Sequence, residues 1–254
     1  MSIVDLARGL KAARSDAGLL TQIPDGLVTT LDHAYEVQAE LIALSHGDVR
    51  GWKVTALAAA DQGKFSSSRP VAGPLLGPYV HNAPTQVRAS SLIAPLLECE
   101  VAFALSSDLP PRAAPYTLTE IELAIAAIVP VFELADLRVP ASSADLIKLA
   151  DVMGNGLFIV GQRIDDWRKF DLSAIAITLS HNGATIDNGS SGRILGNPLL
   201  AVMALANAQP LPQPGLKAGQ IVTTGTCTTP VGISAGTYVA DFGPLGSVEM
   251  TVTP

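Results

Sequence analysis

The sequence is poor in charge. Of its 254 residues only 15% are Asp, Glu, Lys or Arg, and only 5% are aromatic. Acidic residues outnumber basic ones 23 to 16, which leaves a net charge of −7. A chain this short of Lys and Arg is not built for nucleic acid, because binding a phosphate backbone depends on cations displacing its counterions. Cysteine is almost missing: Cys99 and Cys227 are the only two, too few for a disulfide framework. Their scarcity points to a reducing, cytoplasmic setting. Long apolar runs are missing as well. The longest, Leu123 to Phe132, is ten residues and contains Pro130, whereas a membrane-spanning helix needs about 20. The opening MSIVDLARGLKAAR alternates acidic, basic and apolar residues and has no signal-peptide core.

Apolar residues are plentiful, at 48%, with a mean hydropathy of +0.36. This is too apolar for disorder, and 254 residues can bury a core without covalent staples. At roughly 150 residues per domain the length allows one large domain or two small ones. The apolar excess also hints at covered surface between subunits, hence a homo-oligomer.

Helical spacing dominates the first fifty residues. Ile3, Leu6, Ala7 and Leu10 share one face, and Ala34, Val37, Leu41 and Leu44 mark a second helix from about Thr30 to Leu44. Between them Pro24-Asp25-Gly26 reads as a turn. Gly51-Trp52-Lys53-Val54 reads as a short strand. Residues 55–95 are rich in Gly, Ser and Pro. They predict loops, a crossover and a mobile lid with few places for a long element.

From residue 96 the chain turns β-rich. Leu97, Cys99, Val101, Phe103 and Leu105 alternate with Glu98, Glu100, Ala102 and Ala104, a strand with two distinct faces. Thr117-Leu118-Thr119-Glu120 is a capping box that opens a helix, expected to end near Ile128 because Pro130 lacks an N–H. Val131 to Leu134, Gly156 to Gly161, Ile175 to Leu179, Ile221 to Gly225 and Ser247 to Val252 read as strands. Asn197-Pro198 opens a helix to about Asn207, and residues 209–219 form a Pro-rich connection.

Glu98 and Glu100 leave the same face of their strand. Two carboxylates about 4 Å apart repel by about 4 kcal/mol at an effective dielectric near 20. Either that face is solvated, or the pair shares a proton, meets a Lys or Arg, or binds a cation. Glu133 weights the choice, because its neighbours Val131, Phe132 and Leu134 are a poor solvent face. Three carboxylates, with no His among them and Cys99 on the opposite face, suit a hard divalent cation such as Mg²⁺ or Mn²⁺. The histidines His33, His46, His81 and His181 read as surface or capping residues. There is no nucleophile elbow and no phosphate-binding glycine loop.

The block Leu96-Leu97-Glu98-Cys99-Glu100-Val101-Ala102, then Asp108-Leu109-Pro110, then Val129-Pro130-Val131-Phe132-Glu133, resembles the fumarylacetoacetate hydrolase superfamily. Within it the sequence looks most like the branch of 2-keto-4-pentenoate hydratases and 4-oxalocrotonate decarboxylases. Gly51-Trp52-Lys53-Val54, Pro70 with Gly73, Ala150-Asp151, Leu195-Gly196-Asn197-Pro198 and Leu216 to Gly225 match that branch's segments in the same order. The resemblance spans nearly the whole chain. It implies an α+β fold: an N-terminal helical cap and lid segment over residues 1–75, then a mixed β-roll catalytic domain over 76–254. It implies Glu98, Glu100 and Glu133 as ligands of Mg²⁺ or Mn²⁺, and a small 2-oxo or 2-hydroxy carboxylic acid as substrate. Lys53 would sit near the substrate carboxylate or act as acid/base. Thr224 and the Gly225 N–H would hold the substrate carboxylate, and Asp151 would back the site or relay a proton. It also implies dimers or rings of dimers. Read alone, Lys53 is equally a strand-edge lysine, Thr224-Gly225 an ordinary strand exit, and Asp151 a cap or turn residue.

Two positions depart from the branch's pattern. Val71 stands where an aspartate is usual, and Val152 where an asparagine is usual. The leading expectation is a metal-dependent lyase of aromatic meta-cleavage catabolism. A C–C hydrolase of an acylpyruvate-like substrate ranks lower, since residues 55–80 hold neither His nor Glu. A non-catalytic partner subunit that binds 2-oxo acids is the third reading.

Overall fold

Two amphipathic helices begin the chain. In the computed structural model, which describes residues 1–209, 211–212 and 215–254, α1 covers Ile3–Ser15 and α2 covers Leu31–Leu44. Ser2 caps α1 in a reciprocal box with Asp5, and Thr30 caps α2. Such caps satisfy backbone donors that a helix start leaves orphaned. The two helices pack on each other, and Leu6, Leu10, Val37 and Leu41 are buried in the core. Gln38 of α2 donates to the carbonyls of Leu149 and Ala72, at 2.6 and 3.1 Å, and so ties the helices to the rest of the core.

The remaining elements follow in chain order: β1 Val49–Thr55, α3 Ala59–Gln62, β2 Val71–Leu76, β3 Val80–Asn82, β4 Thr85–Arg88, β5 Leu96–Leu105, α4 Leu118–Ala124 and β6 Ile125–Ala135. Then come α5 Asp145–Ala150, β7 Asn155–Val160, β8 Ala176–His181, β9 Ala184–Ser190, α6 Leu199–Ala206, β10 Ile221–Thr226, β11 Val231–Gly232, β12 Gly236–Asp241 and β13 Ser247–Thr253. The larger sheet runs β2-β1-β10-β5-β6-β7-β3, with β11 extending beside β5. The smaller runs β4-β13-β12-β8-β9. Parallel pairs (β1 with β10, β3 with β7, β13 with β4) mix with antiparallel ones, and β13 packs against β6 and β7. This is the expected α+β architecture with N-terminal helices and a mixed, curled β-roll. β1 and most of β2 fall within residues 1–75 and are strands of the same sheet as β5 and β6.

Two details correct the sequence reading. The helix opened by the Thr117 capping box ends at Ala124, not near Ile128, and β6 runs straight through Pro130. Pro130 faces Val101 across the β5 ladder, and its carbonyl accepts the Gly161 N–H at 2.9 Å, where β7 leaves the sheet. The missing N–H therefore falls where the β7 ladder has run out, a position strands tolerate. Residues 55–95, expected as loops, hold the fully buried strand β2 and the short β3 and β4. Pro210, Gln213 and Pro214 of the Pro-rich connection lie outside the described residues.

Candidate active site

The register of β5 against β6 sets the centre of the site. Glu98 faces Glu133 directly across the antiparallel ladder, and Glu100 lies two residues along the same face. One oxygen from each of the three carboxylates lies within 4.8 Å of the others. Glu133 is fully buried, Glu100 is 1% exposed and Glu98 is half-buried. Lys53 reaches them from β1. Its Nζ lies 2.5 Å from Glu133 Oε1 and donates to the Met153 carbonyl at 3.3 Å. Asn155 Nδ2 donates to the same Glu133 oxygen at 3.1 Å. Glu133 Oε2 is buried with no hydrogen-bond partner among the described residues.

A bulge in β10 shapes the opposite wall. The β10–β5 pairing shifts between Thr223 and Thr226. At the shift Gly225 takes φ +108, a conformation that strains any side-chain-bearing residue. Its freed N–H donates to Glu100 Oε2 at 2.9 Å. Thr224 is fully buried and its hydroxyl donates to the Val101 carbonyl at 2.7 Å. It pins the bulge and does not line the cavity.

The electrostatics follow from burial. Burial pushes the Glu98 carboxyl up, Lys53 pulls it back and Glu133 pushes again, for a net rise. Burial, then Glu133 and Glu98, hold the Glu100 carboxyl well above the usual range. Burial alone would lower Lys53, but Glu133, Glu98 and Glu100 together raise it. Like charges in a low-dielectric pocket disfavour joint ionisation. With all three ionised, three negative charges would face one ammonium, leaving two in excess. A divalent cation offsets that excess. The all-oxygen donor set suits a hard ion, and Glu133 Oε2 has no hydrogen bond to give up. The residues present thus fit a divalent metal. Burial pushes the Cys99 and Cys227 thiols up to about 12, so neither is a nucleophile.

The site opens into a cavity of about 640 Å³, inside the usual range for small-ligand pockets. Its polar wall includes Lys53, Glu98, Glu100, Gly225 and Thr226. Its apolar wall includes Leu19, Ile93, Leu96, Leu137, Val139 and Met153. Val71 and Val152, the two departures, are buried in the hydrophobic core.

Asp151 lies away from this wall. It is fully buried and pairs with Arg14 Nη2 at 2.8 Å, while the Arg138 N–H donates to its Oδ2 at 2.6 Å. Burial holds its carboxyl above the usual range despite Arg14. Breaking a buried pair of this kind costs roughly 3–5 kcal/mol. After Asp151, Val152, Met153 and Gly154 take φ +47, +56 and +67 in succession. Non-glycine residues pay roughly 1–3 kcal/mol for such backbone, so the turn is held by its surroundings. Gly73 of β2 allows the turn's close approach, since a Cβ there would lie 2.6 Å from the Val152 carbonyl oxygen. Sequence reasoning saw a turn at 154–156 and missed Asn155 and Arg14. The one available signal was a polar Asn between two glycines at the head of a strand.

The fold and this carboxylate centre define a class, a β-roll of the fumarylacetoacetate hydrolase type with three glutamates converging from two paired strands. The solved 4-oxalocrotonate decarboxylase of Pseudomonas putida G7, complexed with magnesium and adipate, superimposes with a TM-score of 0.88. That match is 23% identical and covers 99% of this chain and 97% of that one. Among curated proteins, the 2-keto-4-pentenoate hydratase of Burkholderia vietnamiensis is 31% identical over 258 aligned positions, covering 99% of this chain and 98% of that protein. The 2-hydroxyhexa-2,4-dienoate hydratase of Comamonas testosteroni is 28% identical over 91% of this chain and 88% of its own. No protein-family model matches. The chain belongs to the 2-keto-4-pentenoate hydratase family, enzymes of lyase type that act on small organic acids. No helix among the described residues is long and apolar enough to cross a membrane.

Proposed function

We propose that this chain is a Mg²⁺- or Mn²⁺-dependent lyase acting on a small 2-hydroxydienoic or 2-oxo-enoic acid from aromatic ring cleavage, with 2-keto-4-pentenoate hydration as its nearest chemistry. The observation that carries this reading is the convergence of Glu98, Glu100 and Glu133 beside Lys53, with one Glu133 oxygen bare. The three glutamates would hold the cation, which supplies Lewis-acid polarisation of the substrate's C2 oxygen.

The chain's own residues do the rest. Lys53 presents an ammonium on the cavity wall, where it binds the C1 carboxylate or gives a proton to a substrate carbon. The Gly225 N–H, now donated to Glu100, becomes a substrate carboxylate donor if Glu100 turns away. Thr224 keeps that N–H aimed at the cavity by anchoring the bulge to β5. Asp151 supports the wall from behind through Arg14. Ile93, Leu96, Leu137 and Val139 enclose the hydrocarbon tail. In hydration the 2-hydroxyl proton is lost, a carbon gains one, and water adds across the resulting conjugated enone. In decarboxylation the same enolate arises by loss of CO₂.

Purified protein with Mg²⁺ and 2-hydroxypenta-2,4-dienoate should bleach the dienol absorbance. No turnover of that compound or of oxalocrotonate would overturn the reading. A second reading, a binding protein for 2-oxo acids, is favoured by the burial of Val71 and Val152 among apolar neighbours, where the branch usually has proton-moving side chains. Metal-dependent oxalate binding without turnover would select it. The sparse cysteine supports a cytoplasmic location, and the apolar composition supports a homo-oligomer.

A further inference from the structure

The left-handed turn between α5 and β7 touches the carboxylate centre at two points. Its Met153 carbonyl accepts from Lys53, and Asn155 donates to Glu133. Lys53 and Asn155 both use Oε1 of Glu133, so the orientation of that carboxylate is fixed and Oε2 is the oxygen left bare. The turn is itself held from α1. Arg14, 5% exposed in the last turn of that helix, donates through Nη1 to the Asn155 carbonyl at 2.6 Å. Through Nη2 it donates to the Asp151 carbonyl at 3.1 Å and to the Asp151 carboxylate at 2.8 Å. One guanidinium thus clasps both ends of the turn, as its planar fork permits. Its ring neighbour Tyr79 lies 5.6 Å away.

We propose that Arg14 and Asn155 are positioning residues of the metal centre: α1, acting through the turn, sets which oxygen of Glu133 is offered to the cation. The inference rests on the metal reading of the preceding subsection. Outer partners of ligand carboxylates orient them, and their loss typically weakens metal binding by about 10- to 100-fold. If Arg14 acts only through Asn155, the two effects are not additive.

The test is Mn²⁺ titration calorimetry on the full chain, with thermal melting of each variant alongside. Asn155→Ala should weaken Mn²⁺ binding about tenfold or more while the protein stays folded. Arg14→Lys keeps a charge for Asp151 but cannot span both ends of the turn. It should recover most of the melting temperature and still bind Mn²⁺ more weakly than wild type. The Arg14→Lys/Asn155→Ala double variant should bind no more weakly than Asn155→Ala alone. Wild-type affinity in folded Asn155→Ala overturns the proposal, and additive losses in the double variant overturn the route from Arg14 through Asn155. If wild-type protein binds no Mn²⁺ or Mg²⁺, the metal reading itself falls and takes this inference with it. Binding by wild type and Asn155→Ala alike would sink this inference alone.

Discussion

Glu133 has one oxygen shared by two donors and the other buried without any. Leaving a buried acceptor bare costs about 1–3 kcal/mol, a cost that a bound ligand removes. Glu98 and Glu100 add charge that a single lysine does not balance. Glu133→Ala or Glu98→Ala should therefore abolish divalent-metal binding. Unchanged affinity by titration calorimetry would refute the ligand assignment. The glutamates were legible in the sequence because a strand's period of two puts Glu98 and Glu100 on one face, and because Glu133 lies in an apolar run. Asn155 and Arg14 were not legible, because the contact between them joins positions 141 residues apart. No local pattern announces such a contact.

At the scale of elements, β5 was readable from its alternation, and the starts of α4 and α6 from the Thr117 capping box and Asn197-Pro198. The end of α4 was not. Pro130 reads as a helix stop, yet the chain is already a strand at Ile125, and Ile125, Ile128, Val129 and Val131 carry the β-branched signature of one. β2 was hidden among glycines and prolines because both its faces are buried, so it shows no alternation. The capping box at α4 also carries a pH dependence. Glu120 accepts from Arg112 at 2.7 Å and from the Thr117 N–H at 2.9 Å. Arg112, then Thr117, hold its carboxyl down at about 2 against an ordinary 4.5. A depressed carboxylate stabilises the fold fully above its ordinary value, and that contribution drains away as pH falls toward the folded one. Glu120→Gln keeps a side chain able to cap but removes the charge. The melting-temperature gap between wild type and this variant should be widest at neutral pH and close as pH drops from about 4.5 toward 2. A gap that stays constant over that range would rule the effect out.

The whole molecule exposes Leu123 at 73%, Leu195 at 48%, Leu19 at 46% and Leu96 at 44%. Leu19 and Leu96 also line the cavity. Scattered apolar residues on a surface are ordinary, but together with a 48% apolar composition they favour association of copies. Light scattering should give a mass that is a multiple of 26.3 kDa, whereas a single 26.3 kDa species would overturn a homo-oligomer. The sheet order, with β10 between β1 and β5, has a consequence for the chain as it is synthesised. By residue 135 the ribosome has delivered all three carboxylates and the ladder that aligns them. Lys53 has been delivered too, but β1 cannot be seated beside them until residues 221–226 arrive to fill the gap. In the interval β5 offers an open strand edge, the kind of surface on which partly folded chains pair wrongly. The last third of the polypeptide closes that edge, and in the same step it brings the lysine to its glutamates.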